Sequence, residues 1–430
     1  MLSLEKIKDI CLKRGFFYKQ NCGSLEGIYE LGPLGVILKN NIISSWKHSL
    51  LSRDYEIYSM ETSNLTPLKV WEVSQHTKNF HDPVTTCTRC SLSFRTDKCE
   101  HDLKDSKVIY YCPKCGNESH SIVSKSSLLF ETNVNLNAKK ESKFILRPEG
   151  SQLVYLQYKN LIDSMNAKIP FGVSHIGRSF RNETFDANSF IFRSLEFDQL
   201  DVQFFVSESE AIKYLDIWTN RRLEWYKKLS NNPANYIAKT IPQDDRSHYS
   251  SQTNDILFNF PWGKDEIEGV ACRNDLLGLK NFFPHAFEGV RQEDLPFVIE
   301  PSAGLQRMIL SFLFDAAVES ESTNQVNLNI HHDLVPYHVS ININGSMPLV
   351  NLWEDLHQKN KNIRINKTCE SENKIFELIN NQIGTLWTIS KDMSGYGYIL
   401  KHRDKDLHHF DTLESLSNRL ALDFEKLQDI

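Results

Sequence analysis

The sequence predicts an α+β fold: an antiparallel sheet flanked by helices, an inserted cysteine module and a separate C-terminal α/β domain. Three observations predict it. Short runs rich in Phe, Ile and Val lie at residues 143–146, 171–176, 195–206, 256–260 and 297–299, most of them bounded by Gly, Pro or Asn. These runs do not alternate regularly with helical patterns, which argues against a parallel sheet. From Cys87 to Cys115, cysteine, Lys and Asp cluster and long apolar periodicity stops.

In chain order, residues 4–17 read as a short basic helix. Gly32-Pro33-Leu34-Gly35 opens a second, over residues 36–51, because a proline just inside a helix start lacks only an amide that would be unpaired there. Ser207-Glu208-Ser209-Glu210 has the pattern of a capping box. Behind it Ile212, Leu215, Thr219, Leu223 and Tyr226 recur at helical spacing on one face. Residues 324–333 turn polar and read as a linker or domain edge, with His331 and His332 as solvated residues. Leu413, Leu416, Leu420, Phe424 and Leu427 close the chain at the spacing of an amphipathic helix.

Composition narrows the function classes. With 430 residues, 40% of them hydrophobic and 24% charged, the chain is ordinary for a globular protein of two to three domains. No run approaches the roughly 18 apolar residues of a spanning helix, so no membrane partner is expected. The first residues carry an acid early and lead into no apolar segment, which points to the cytoplasm or an organelle matrix. A net charge of −6 excludes a generic nucleic-acid coater, so any RNA contact uses a local patch.

The cysteines speak most plainly. Cys87 with Cys90 and Cys112 with Cys115 form two CxxC pairs separated by 21 residues. Each pair can turn two thiolates onto one tetrahedral ion, and four thiolates with no open position describe structural zinc. Cys99 and His101, between the pairs, read as bystanders.

Three further segments carry chemistry: Leu146-Arg147-Pro148-Glu149-Gly150-Ser151-Gln152; Phe180-Arg181-Asn182-Glu183 followed by Phe192-Arg193-Ser194-Leu195-Glu196-Phe197; and Ile299-Glu300-Pro301-Ser302-Ala303-Gly304-Leu305-Gln306-Arg307. Arg181 and Glu183 share one face if the preceding strand continues. A strand-borne guanidinium offers a rigid fork to phosphate, and Glu183 can accept from an exocyclic amino group. Phe197 can stack on a base, and Gly304 lets backbone approach a ligand. Arg307, opening a helical run, can hold a second phosphate. Two arginines on separate elements suit a bent triphosphate attacked at its α-phosphorus, with catalysis by positioning and charge.

In order and wording, the set resembles the dimeric, class II type of glycyl-tRNA synthetase. Lys13-Arg14-Gly15-Phe16-Phe17 and Gly32-Pro33-Leu34-Gly35-Val36 resemble that family's opening. Pro67 and Val70–His76 resemble its dimer-forming motif 1, Phe180–Phe197 its motif 2, and Gly304–Arg307 its motif 3. The stretches around Ser247–Asp255 and Glu266–Arg273 are also similar.

The resemblance implies a class II antiparallel catalytic sheet, with residues 1–85 and 121–325 as the catalytic domain, 86–120 as a zinc ribbon, and 333–430 as an anticodon-binding-like domain. It implies ATP-dependent ligation of glycine to tRNA(Gly) by a homodimer through glycyl-adenylate, with ATP, Mg²⁺ and structural Zn²⁺ as cofactors. Arg181 would bind the α-phosphate, Glu183 the adenine amino group and Arg307 the γ-phosphate. Asn182, Phe192, Arg193, Glu196, Phe197, Glu266, Ile267 and Gly304 would complete the ATP site. Glu149, Glu300, Ser302 and Arg273 would form the glycine pocket, with Arg95 and Gln199 nearby. Acids suit the glycine ammonium and Arg273 its carboxylate.

The chain departs from the family at Gln306, where an acid is usual, at Leu195, where an arginine is usual, and at Gly150-Ser151. Residues 184–191 hold no arginine, residues 20–22 no acid, and residues 373–382 a single base, Lys374. A catalytically inactive relative, the accessory subunit of mitochondrial DNA polymerase, is the alternative that these departures leave open.

Overall fold

The computed structural model describes residues 2–20, 28–97, 99–104, 107–119, 123–137, 140–183, 189–247, 249–320, 325–342, 347–358, 363–366, 373–391, 397–403 and 407–428. Expectations placed on residues 21–22 and 184–188 lie outside them.

Helix α1 (Leu4–Arg14) ends earlier than its periodicity suggests. Ser3 Oγ accepts the Lys6 amide at 3.4 Å, and Gly15 stops the helix at φ 75°, a conformation costly for any residue with a Cβ. Helix α2 (Pro33–Ser49) has its proline in the first turn and buries Leu34, Leu38, Ile42 and Trp46 at four-residue spacing. Two short helices follow, α3 (Leu68–Val73) and α4 (His76–Asn79).

The centre is a seven-stranded sheet of β1 (Ile57–Met60), β2 (Phe171–Phe180), β3 (Glu196–Val206), β4 (Tyr236–Thr240), β5 (Ser250–Phe260), β6 (Gly263–Arg273) and β7 (Phe297–Gly304), in the order β4-β5-β6-β7-β3-β2-β1. Every neighbouring pair is antiparallel except β2 and β1. Strands β2, β5 and β7 run well past their apolar stretches, because ladder partners hold polar residues extended. Pro301 lies in β7, an interior strand. It sits between Ser302 and Ile299, where the pairs between β7 and β3 are interrupted, so its missing amide costs no rung there.

Alternation sets two faces. Leu200, Val202, Phe204, Ile299 and Ala303 point into the main core with α1, α2, α5 (Ala211–Lys228) and α6 (Leu305–Ala316). Gln199, Asp201, Gln203, Glu300, Ser302 and Gly304 point the other way. Helix α5 keeps most of its expected face, since Leu215, Thr219 and Tyr226 are buried, but Ile212 is 52% exposed and Trp218 and Arg222 are buried as well. Arg222 reaches the core only because Glu268 meets it at 2.7 Å and Trp225 lies over it at 4.5 Å. The capping box is also different. Ser207 Oγ donates to the Glu210 carboxylate at 3.1 Å, and a short 3₁₀ turn (Glu208–Glu210) precedes the helix.

C-terminal to this, a five-stranded mixed sheet pairs Val339–Asn342 parallel with Ile363–Asn366 and Trp387–Lys391, and continues antiparallel through Tyr398–His402 and Leu407–Phe410. The last helix, Leu413–Gln428, buries Leu416 and Leu420. The polar tract expected as a linker is tied down instead. Val326–Leu328 pairs with Ala317–Glu319, and Leu328 and Ile330 are buried. No helix among the described residues is long and apolar enough to cross a membrane.

Candidate active site

The polar face of the sheet opens into a cavity of about 350 Å³. Thirteen of the residues singled out from the sequence line it: Glu149, Arg181, Glu183, Phe192, Arg193, Phe197, Gln199, Glu266, Ile267, Glu300, Ser302, Gly304 and Arg307. They come from five separate stretches of chain, brought side by side by the β2–β3–β7–β6 order.

Two guanidinium groups on aromatic faces line the cavity. Arg181, just past β2, lies 5.3 Å from the rings of both Phe80 and Phe197, and its Nε donates to the Pro148 carbonyl at 3.1 Å. Arg307, in the first turn of α6, sits 4.7 Å from the Phe192 ring, and its Nη1 donates to Glu266 Oε2 at 3.3 Å. Glu183 is held by Arg193 at 3.2 Å. A side chain at Gly304 would meet the Phe197 ring at 3.7 Å, so the space it leaves belongs to the cavity. Gly269 does the same on β6: a Cβ there would lie 3.5 Å from Glu266 Oε1 and 3.6 Å from Asp255 Oδ1. Burial, and then the neighbouring Glu266 charge, push Asp255 up to about 7.

One end is a closed charge network. Arg273, fully buried, donates to Glu300 at 2.8 Å, to Glu149 at 3.3 Å and to Asp275 at 2.9 Å. Ser151 Oγ and Gln203 Nε2 donate to Glu300 Oε1, the latter at 2.7 Å, and Tyr155 donates to Gln203 at 2.6 Å. Ser302 accepts from Gln199 at 2.8 Å. The two acids are driven apart. Burial raises Glu300 despite Arg273. For Glu149 burial is overcome by His76, Arg273 and Arg181, which hold its carboxyl well below the usual range.

Behind this end lies a second buried layer. Arg147 Nη1 donates to the Thr62 carbonyl at 3.0 Å and meets His175 Nε2 at 3.1 Å. Two glycines leave room for it. A Cβ at Gly177 would fall 2.0 Å from Arg147 Nη2, and one at Gly150 would fall 2.5 Å from the His175 ring.

Four of the residues expected in the site stand off the cavity wall. Arg273 is behind it, covered by the Tyr249 ring at 3.9 Å, so it braces acids where a carboxylate ligand was expected. Arg95 is clamped by Asp82 at 3.0 Å and Asp97 at 2.7 Å, within electrostatic reach of Glu183. Glu196 is exposed and pairs with Arg178; Asn182 is exposed, and its amide donates to the Leu128 carbonyl at 2.9 Å. Conversely, Phe80, Tyr249 and Asp255 line the cavity without a role read from sequence. Asp255 shares alternation with Thr253, but only the neighbouring strand reveals its partner. Residue His248 lies outside the described residues.

The cysteine module fits its metal. Cys87–Cys115, Cys90–Cys112 and Cys90–Cys115 sulfurs are each 3.6 Å apart, near the ~3.8 Å edge of a tetrahedron with ~2.3 Å bonds. Hydrogen bonds from the Cys90 amide and then the Arg89 amide outweigh burial, which opposes them, and bring the Cys87 thiol down to about 6. His331, His332 and Asp333 also converge, and their imidazoles are four-fifths buried, not solvated. Burial lowers both histidines, and Lys228 and Arg403 lie within electrostatic reach of both.

Comparison with known proteins agrees with this geometry. The family described as tRNA synthetase class II core domain (G, H, P, S and T) matches residues 130–314. A crystal structure of the RNA binding domain of threonyl-tRNA synthetase from Cryptosporidium parvum Iowa II superposes with a TM-score of 0.65 over 97% of this chain and 98% of that one, at 13% identity, which speaks to fold alone. The glycine–tRNA ligase of Treponema denticola is 33% identical over 356 residues, 79% of this chain and 78% of that protein. That of Geobacillus thermodenitrificans is 32% identical over 371 residues, 79% of each. At that identity and coverage, on a class II sheet with two arginines and two acids in one cavity, the chain belongs to the glycine–tRNA ligase family.

Proposed function

We propose that this enzyme ligates glycine to tRNA(Gly) in two steps at the cavity described above. A glycine carboxylate oxygen attacks the α-phosphorus of ATP and pyrophosphate leaves. The 3′-terminal hydroxyl of the tRNA then attacks the glycyl carbonyl and AMP leaves. The observation that carries the reading is a single cavity lined by Arg181, Arg307, Glu149 and Glu300, with Arg181 within electrostatic reach of Glu149.

Each group has a task. Arg181 offsets charge developing at the α-phosphate, and Arg307 faces the outer phosphates. Phe197 and Phe192 give the base apolar faces, with Glu183 as acceptor for its amino group. Glu149 and Glu300 hold the glycine ammonium, and Ser302 fixes its orientation. Mg²⁺ would be held by Asp255 and Glu266, whose carboxylates face one space across Gly269, and would neutralise phosphate charge when bound. Zinc would be held by Cys87, Cys90, Cys112 and Cys115 as a structural ion. A homodimer, from the motif 1 resemblance, and a cytoplasmic setting belong to the same proposal. The accessory-subunit alternative is not favoured, since the relatives named above are ligases.

Glycine-dependent exchange of pyrophosphate into ATP tests the first step, and transfer of labelled glycine to tRNA(Gly) the second. Exchange with glycine and not with alanine is the expected result. Absence of any exchange would overturn the reading.

A further inference from the structure

We propose that His76 is a positioning residue for glycine: it grips one oxygen of Glu149 so that the other faces the cavity. The inference rests on the ligase reading and assigns a residue which that reading leaves unused.

His76 is 1% exposed, yet it is carried by α4, outside the catalytic sheet. Gln75 before it has φ 63°, a left-handed conformation that is costly for a residue with a Cβ. That strained residue turns the chain between α3 and α4 and sends the imidazole inward. Four side chains fix the ring. Trp71 meets it edge-on at 5.1 Å, Phe80 lies at 5.5 Å, and Tyr249 stacks nearly parallel at 6.4 Å and 14°. Ser74 Oγ lies 2.9 Å from Nδ1. With that hydroxyl donating, the ring proton resides on Nε2.

Nε2 is 3.5 Å from Glu149 Oε1. The same oxygen accepts from Gln152 Nε2 at 2.9 Å and Arg273 Nη1 at 3.3 Å. Two N–H groups thus donate to Oε1 and the imidazole Nε2 stands 3.5 Å from it, while Oε2 accepts from none of the described residues, and Glu149 lines the cavity. A carboxylate gripped at one oxygen presents the lone pairs of the other in a fixed direction, which suits an ammonium group. Of the three groups at this oxygen, Arg273 is shared with Glu300 and Asp275, and Gln152 lies three residues along the chain from Glu149. His76 alone comes from the 68–79 segment, so it ties that segment to the glycine end.

The test is pyrophosphate exchange by the full chain, with glycine varied at saturating ATP and then ATP varied at saturating glycine. His76→Ala should raise the KM for glycine about tenfold, the loss of one hydrogen bond to a charged group, with kcat and the KM for ATP within about twofold. His76→Gln places an amide nitrogen where Nε2 was and should recover most of the loss; His76→Asn, which reaches only to Nδ1, should not. An unchanged glycine KM in His76→Ala, a parallel fall of kcat, or no rescue by glutamine would overturn the proposal. If His76→Ala does not fold, Ser74→Ala serves: a glycine KM raised about threefold supports the proposal, and an unchanged one overturns it. A wild type with no exchange is a different failure, that of the ligase reading itself.

Discussion

Around Arg307 and Glu266, where the nucleotide is proposed to bind, the charges stay half-open. Arg307 keeps 26% of its side chain exposed and Glu266 45%, and each arginine rests on an aromatic ring. At the glycine end no side chain of the Arg273–Glu149–Glu300 set exceeds 6% exposure, and its hydrogen bonds interlock. On the proposed assignment, the difference follows from the substrates. A nucleotide is large, and a few well-placed contacts on a yielding wall suffice. Glycine offers only two charged ends, and one extra methyl group shifts binding in a soft pocket by only ~1–3 kcal/mol, so selectivity needs a wall that cannot give way.

Substitutions that break one end and spare the other test this contrast. The largest effect should come from Arg273→Met, which strands two buried acids. Denaturant unfolding should show a loss of about 3–5 kcal/mol, the range for uncoupling a buried ion pair. Arg181→Ala, at the open end, should leave stability nearly untouched and slow adenylate formation about 10²–10³-fold, read by single-turnover kinetics.

The pH dependence is the next largest. Asp255 titrates near 7, raised from its ordinary range, so below that pH a bound cation must displace a proton. Apparent Mg²⁺ affinity should climb up to about tenfold per unit as pH rises towards 7 and level off above it. Asp255→Asn should flatten that profile. The smallest effect belongs to Phe197→Leu, which keeps volume but loses a stacking face. The KM for ATP should rise several-fold, about 1 kcal/mol, with the KM for glycine unchanged.

The sequence made the chemistry legible wherever residues act through local pattern. The two CxxC pairs mark a candidate metal site from spacing alone, and Arg181 and Glu183 both line the cavity although the strand expected to align them stops at Phe180. What stayed hidden depends on neighbours far along the chain. Nothing local says that Arg273 will be walled in by acids 27 and 124 residues away, or that Tyr249 will cover it. Ile212 sits on the expected helical face, yet Trp218 and a paired Arg222 take the core instead. Pro301 reads as the end of a strand and proves to lie inside one, because the interrupted ladder beside it is a property of the sheet.

The empty corners at Gly150 and Gly177 carry a last implication. Neither needs an unusual backbone angle; each is forbidden a side chain by the buried Arg147 and His175. A selection that randomised these two codons should return glycine at both. At Gly263, where φ is +120° and nothing lies within reach of an added Cβ, the barrier is backbone strain alone. Alanine there should show up as a lowered melting point in an enzyme that still works.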